Sequence, residues 1–124
     1  SDQPDNKNSW FMKGAIELNV KKDYAAARES FEKALAIDPD YKDALFNMGT
    51  AYINDIYDQR VSGKFKYIGT NRRIEGKGQA AYAKEKAIYD KELATVKGYY
   101  KKAKPYLEHL RELTLLDAAN KAGN

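Results

Sequence analysis

Apolar residues recur with helical spacing in the first third of the chain. Phe11, Ala15 and Leu18 follow one another at i, i+4 and i+7, which places them on one face of a helix. After a short polar break, a second run of apolar residues continues with the same period. The pattern therefore predicts two helices, 9–20 and 24–37, that pack against each other.

The helical pattern restarts after Pro39, which favours the end of a helix because the residue before a proline avoids the helical conformation. Leu45, Gly49 and Tyr52 repeat the large–small–large order of the first helix 34 residues further along the chain. This restart predicts a third helix over 41–59 and an internal repeat of helix pairs.

The second predicted helix carries the most specific motif. From Asp23 to Pro39 the chain reads D-Y-x-x-A-x-x-x-F-x-x-A-x-x-x-x-P. This order, together with the 34-residue period, resembles the tetratricopeptide repeat. The resemblance implies an all-α fold in which antiparallel helix pairs stack as a short right-handed solenoid. It also implies a module that holds other proteins and is not an enzyme.

The second repeat is interrupted. Its second helix is predicted at 98–116, about 42 residues later than the spacing of the first repeat requires. The insertion, 60–97, is expected to begin with a glycine-rich, mobile loop at 61–78, part of which could form a short hairpin, and to add an extra helix. Pro105 predicts a kink in the last helix. The arrangement resembles a bacterial type of this repeat protein with a long insertion in its second repeat.

These elements predict a single helical repeat domain over 9–116, between a flexible N-terminus at 1–8 and a flexible tail at 117–124. Repeat one covers 9–40, and repeat two covers 41–59 plus 98–116. Two repeats make a small core, so we expect either that the insertion supplies packing or that the chain is a piece of a longer array. The residues expected between the helices are Tyr24, Phe31, Leu45 and Leu107.

The resemblance also implies a binding face, because in this family the first helix of each pair lines a concave surface. Its positions carry over to this chain as a set of candidate partner-binding residues. The alternative is that the inserted helix or a second copy of the chain covers this face. The carried-over residues are Met12, Lys13 and Ile16 in repeat one and Phe46, Asn47, Thr50 and Asn54 in repeat two.

Charge adds a second candidate surface. The net charge is +4, but residues 59–104 alone hold 13 Lys or Arg against 4 Asp or Glu. Cations interleaved with Tyr57, Phe65 and Tyr67 could bind nucleic acid or another polyanion, although a solvated loop is the more favoured interpretation. The basic residues of this insertion are Arg60, Lys64, Lys66, Arg72, Arg73 and Lys77.

Catalytic and cofactor signatures are absent from the sequence. It has no Cys, and His109 is its only His. No cofactor or metal is expected, since Asp38, Asp40 and Asp43 do not match a calcium loop: Lys42 stands at a ligand position. No apolar run is long enough to span a membrane. The compartment, cytoplasmic or exported, and the formation of a homo-oligomer stay open.

Overall fold

The structure, a computed structural model, describes residues 6–123. Over these residues the chain forms four helices and no strand, which confirms the predicted all-α class. The hairpin considered for 64–67 does not form. The helices are α1 (Lys7–Asn19), α2 (Tyr24–Ile37), α3 (Lys42–Val61) and α4 (Gln79–Ala122).

Side-chain caps fix the starts of the first two helices. The side chain of Asn6 accepts a hydrogen bond from the Ser9 N–H, and Asp23 accepts one from the Ala26 N–H. Helix α1 thus begins at Lys7, inside the segment expected to be flexible. Residues 1–5 of that segment lie outside the described part of the chain.

Close packing of a large residue on a small one joins α1 to α2. Phe31 is fully buried, and its ring lies directly against Gly14. A Cβ atom at Gly14 would lie 2.6 Å from Cε1 of Phe31, so any larger residue would force the helices apart. Phe31 also packs with Met48 and Ala51 of α3, which closes the core over the first helix pair.

The second helix pair repeats this arrangement with looser burial. Leu107 of α4 lies against Gly49 of α3, where an added Cβ would come within 2.5 Å of the leucine side chain. Of the four residues predicted in the core, Phe31 and Leu45 are buried, whereas Tyr24 and Leu107 are only half-buried. Packed helix pairs therefore follow one another, and the first is the better buried.

Helix α4 differs most from the sequence prediction. It is one helix of 44 residues, about 66 Å long at 1.5 Å per residue. The extra helix expected from the insertion is the first half of α4 and not a separate element. Pro105 lies inside α4 without ending it, and the helix continues past Leu116 to Ala122. The tail expected to be flexible is thus helical as far as Ala122, and Asn124 lies outside the described residues.

Two exposed polar contacts fasten the second half of α4 to the α2–α3 junction. Nε2 of His109 lies 2.8 Å from Oδ1 of Asp40. The ammonium group of Lys42 pairs with the carboxylate of Asp117. Both pairs are exposed to solvent, so each adds little to stability, but together they fix where the helix lies.

Candidate protein-binding site

The first helices of both repeats expose large apolar side chains. Met12 and Ile16 on α1 are 63% and 50% exposed, and Phe46 on α3 is 55% exposed. Met12 and Phe46 stand 34 residues apart, at equivalent positions of the two repeats. Nothing within residues 6–123 buries these side chains, so the inserted segment does not cover the expected face.

On α3 the exposed apolar surface extends further than the sequence analysis proposed. Phe46, Thr50, Ile53 and Tyr57 follow at i, i+4, i+7 and i+11, which places them in one row along the helix. Tyr57 is 56% exposed. The sequence groups Tyr57 with the cations of the insertion, but Tyr57 lies three helical turns after Phe46. That spacing assigns Tyr57 to this row.

Lys13 is engaged inside the protein. Its Nζ lies 2.9 Å from Oε2 of Glu17 and 3.3 Å from Oγ of Ser30, whose hydroxyl donates to the other Glu17 oxygen at 2.6 Å. Burial acts to raise the pKa of Glu17, but the bonds from Ser30 and Lys13 outweigh it and hold that pKa below its usual value. Lys13 thus neutralises a buried carboxylate.

The other polar candidates differ in what they offer a partner. Asn54 is exposed and Asn47 is half-buried, so an amide is accessible on two turns of α3. The hydroxyl of Thr50 donates to the backbone carbonyl of Phe46 and is satisfied within the helix. Of the polar candidates on α3, the two asparagines are therefore the ones whose side-chain amides can bond to the backbone of a partner.

Two carboxylates of α4 attach the insertion loop: Glu85, which accepts a hydrogen bond from the Tyr67 hydroxyl at 3.0 Å, and Glu92. Glu92 accepts hydrogen bonds from the backbone N–H groups of Lys66, Tyr67 and Ile68, at 2.6, 2.8 and 3.2 Å. Burial acts to raise the pKa of Glu92, yet these three bonds dominate and lower it. Phe65 and Tyr67 are buried beneath this attachment. These two aromatic rings are therefore not free to stack on nucleic-acid bases.

Two of the basic candidates are engaged within the protein. The guanidinium group of Arg60 packs against Gly69, where a Cβ would lie 2.7 Å from Nε of Arg60, and Gly69 has a φ of +78° that favours glycine. Nζ of Lys64 donates to the side chain of Gln59 at 2.8 Å. Arg60 and Lys64 thus help to hold the end of α3 and the loop together.

The remaining cations share their surroundings with acids. Lys66, Arg72 and Arg73 line an open cavity of about 570 Å³ together with Glu75 and Glu85. Lys77 is exposed and lies outside this lining. The cavity is of mixed charge, and binding of a polyanion by the insertion stays a prediction.

Comparison with known proteins supports the repeat pattern. The family model of the TPR repeat matches residues 15–55, which cover the end of α1, all of α2 and most of α3. Residues 15–55 therefore match the tetratricopeptide repeat. No curated protein and no solved structure gave a significant match. The bacterial type and the insertion within the second repeat stay predictions.

Metal clusters and membrane-spanning helices are both missing from the described residues. Among residues 6–123, no group of three or more His, Cys, Asp or Glu side chains could hold a metal ion. In the same part of the chain, none of the helices combines the length and apolarity needed to cross a membrane. The proposed function therefore rests on the exposed apolar face of α1 and α3.

Proposed function

We propose that this chain is a protein-interaction module that binds a peptide or protein partner on the face formed by α1 and α3. The observation that carries this proposal is the exposure of Met12, Ile16 and Phe46 on the first helices of a tetratricopeptide repeat protein. An exposed apolar cluster of this kind is typical of an interaction site.

The side chains of this face suit a peptide ligand. Met12 can adapt its shape to different partners, and Phe46 offers a large apolar anchor of the kind that dominates binding energy. Tyr57 continues the row along α3 and can combine apolar contact with a hydrogen bond. Asn47 and Asn54 lie on the same helix, where their amides can bond to the backbone of an extended peptide.

The proposed role is binding without catalysis. His109, the only histidine, lies on α4 beside Asp40 and not on the face of α1 and α3. The basic residues of the insertion contribute, in this proposal, at most to the rate of association, because exposed charges steer partners more than they hold them.

A capture experiment with the whole chain as bait tests the proposal. The Phe46→Ala variant should lose the proteins that the unchanged chain captures from nuclease-treated extract, with binding weakened by about 1 kcal/mol or more. Ile37→Ala is the matched control, since Ile37 is 49% exposed but lies on α2. Both variants should keep the melting temperature of the unchanged chain.

A third variant separates the two candidate surfaces. Replacing Arg72 and Arg73 together by alanine should leave the captured proteins unchanged. Loss of capture in this variant, with Phe46→Ala silent, would place the function on the insertion and contradict the proposal.

A further inference from the structure

The second helices of the two repeats present the same kind of surface, but only the first is covered. Ala103 and Leu107 on α4 stand 76 residues after Ala27 and Phe31 on α2. Ala27 and Phe31 are fully buried because α3 packs over them with Met48 and Ala51. On α4 the equivalent surface borders an open apolar groove of about 420 Å³, whose lining includes Ile53, Ala103 and Leu107.

Two polar contacts fasten α3 onto α2. Nη1 of Arg28 lies 2.9 Å from Oδ2 of Asp55, and this pair is largely withdrawn from solvent. The hydroxyl of Tyr24 donates to the carboxylate of Asp58. The covering helix therefore carries two acids three positions apart, and they bind a tyrosine and a cation on the helix beneath.

The same pair of partners is present and uncovered on α4. Tyr100 stands 76 residues after Tyr24, and Lys104 stands 76 residues after Arg28. Both are exposed, and Lys104 makes only a loose contact of 3.6 Å with Glu108, an exposed pair that adds little to stability. Arg111, which also lines the groove, replaces Leu35 of repeat one and adds a second cation.

We propose that the groove between α3 and α4 binds an α-helix of a partner protein. The inward face of that helix carries small and apolar residues, as Met48 and Ala51 do on α3. It also carries two acidic residues three positions apart, which bind Tyr100 and Lys104 as Asp58 and Asp55 bind Tyr24 and Arg28. This site shares Ile53 with the row on α3 but is otherwise separate from the α1–α3 face, and it does not depend on the function proposed for that face.

A second copy of the chain does not supply this helix. Helix α1 of another copy does not carry two acids three positions apart, because Glu17 is its one acidic residue. The residues 34 positions before Asp55 and Asp58 are Lys21 and Tyr24, and both lie beyond the end of α1 at Asn19. Helix α3 of another copy is already buried in its own core.

The test uses a synthetic peptide with the sequence of residues 41–61, blocked at both ends, and the whole isotope-labelled chain. This peptide carries the Asp55 and Asp58 pair and the apolar residues that cover α2. Short isolated helices are marginal in water, so binding will be weak and is best followed by nuclear magnetic resonance. Chemical shifts should change at Ala103, Leu107 and Arg111.

Charge variants then test the recognition. Lys104→Glu combined with Arg111→Glu should weaken peptide binding by about tenfold or more, because it sets acids against acids. The control, Lys84→Glu combined with Lys91→Glu, makes the same change of net charge on α4 outside the groove and should bind as the unchanged chain does. Circular dichroism checks that both variants fold.

Changes in the peptide keep the test independent of folding. A peptide with Asp55→Asn and Asp58→Asn should bind the unchanged chain about tenfold more weakly, while one with Asp55→Lys should recover affinity for the Lys104→Glu, Arg111→Glu variant. The proposal fails if the shifts map to Met12 and Phe46, or to Ala27 and Phe31, where the peptide would be replacing α3. The proposal would also be overturned if the control variant weakened peptide binding as much as the Lys104→Glu, Arg111→Glu variant. It would be overturned as well if sedimentation showed a dimer of the chain that excludes the peptide.

Discussion

Helix α2 and the second half of α4 each pack as the second helix of a pair, yet α2 lies in the core and α4 lies at the surface. On α2, Ala27, Phe31 and Ala34 are fully buried. On α4, Ala103 is the only buried residue of the whole helix. The difference does not come from composition, since both helices carry a tyrosine, an alanine and a large apolar residue at the same spacing. It comes from α3, which covers α2 and has no counterpart over α4.

The stability that each of these helices contributes depends on how much of its apolar face the next helix covers. Most helical stability in proteins comes from packing an apolar face, not from the propensity of the segment. In this chain α3 packs against two helices. One side of α3 covers α2, and on the other side Gly49 contacts Leu107 of α4. The pair α1–α2 is therefore covered by a following helix, whereas no helix among residues 6–123 covers the outer face of the pair α3–α4.

The largest expected effect contrasts Phe31 with Leu107. Phe31→Ala should lower the free energy of unfolding by about 3–5 kcal/mol, the usual range for a buried phenylalanine. Leu107→Ala should cost less, about 1–2 kcal/mol, because the half-buried side chain has less apolar surface to lose. Urea denaturation of both variants measures the difference. Equal costs would mean that the groove over α4 is already filled in solution.

A smaller effect is expected from the cations at equivalent positions. Arg28→Ala leaves the largely buried carboxylate of Asp55 without its cation, although Gln59 still donates to it, and should cost about 1–3 kcal/mol. Lys104→Ala removes an exposed cation and should change stability by less than about 0.5 kcal/mol. Thermal unfolding checks both. A cost for Lys104→Ala as large as that for Arg28→Ala would contradict the view that no helix among residues 6–123 covers this site.

The first half of α4 offers a different comparison, since it holds the loop instead of packing on α3. Glu92→Gln removes the charge that accepts three backbone N–H groups, and the loop should then open more often. Trypsin should cleave after Arg72 or Arg73 several times faster than in the unchanged chain. Glu112→Gln, on the exposed C-terminal part of α4, is the control and should leave the cleavage rate unchanged.

The sequence predicted repeat one well because its information is local. The motif from Asp23 to Pro39 and the spacing of Phe11 and Leu18 define α1 and α2, and the helix bounds differ from the prediction by no more than two residues. The exposure of Met12 and Phe46 followed from repeat position, although their role as partner-binding residues stays a prediction. The engagement of Lys13 by Glu17 did not follow, since it depends on where Ser30 lies in space.

The insertion was harder to predict because its order depends on contacts distant in sequence. Gly-rich composition indicated a mobile loop, but Glu92, about 25 residues away, binds its backbone and buries Phe65 and Tyr67. The continuity of α4 was also missed, because the sequence analysis predicted a separate extra helix before the helix at 98–116. The strong helical propensity around Pro105 and packing against α3 outweigh its local cost.

The smallest expected effect is a dependence of stability on alkaline pH that should separate Tyr24 from Tyr100. Burial, together with the hydrogen bond to Asp58, raises the pKa of Tyr24 to about 12. An unfolded tyrosine has a pKa of about 10, so the folded chain holds this proton more tightly. The stability that Tyr24 contributes is therefore complete below about pH 10 and is lost as the pH rises toward about 12.

The loss should be visible as a steeper fall of unfolding free energy in the unchanged chain than in Tyr24→Phe. Tyr100→Phe, which changes the equivalent but uncovered residue, should fall as steeply as the unchanged chain. Identical pH profiles for Tyr24→Phe and the unchanged chain would show that the bond to Asp58 does not couple α2 to α3. The acid proposed to bind Tyr100 in the α4 groove would then have no equivalent between α2 and α3.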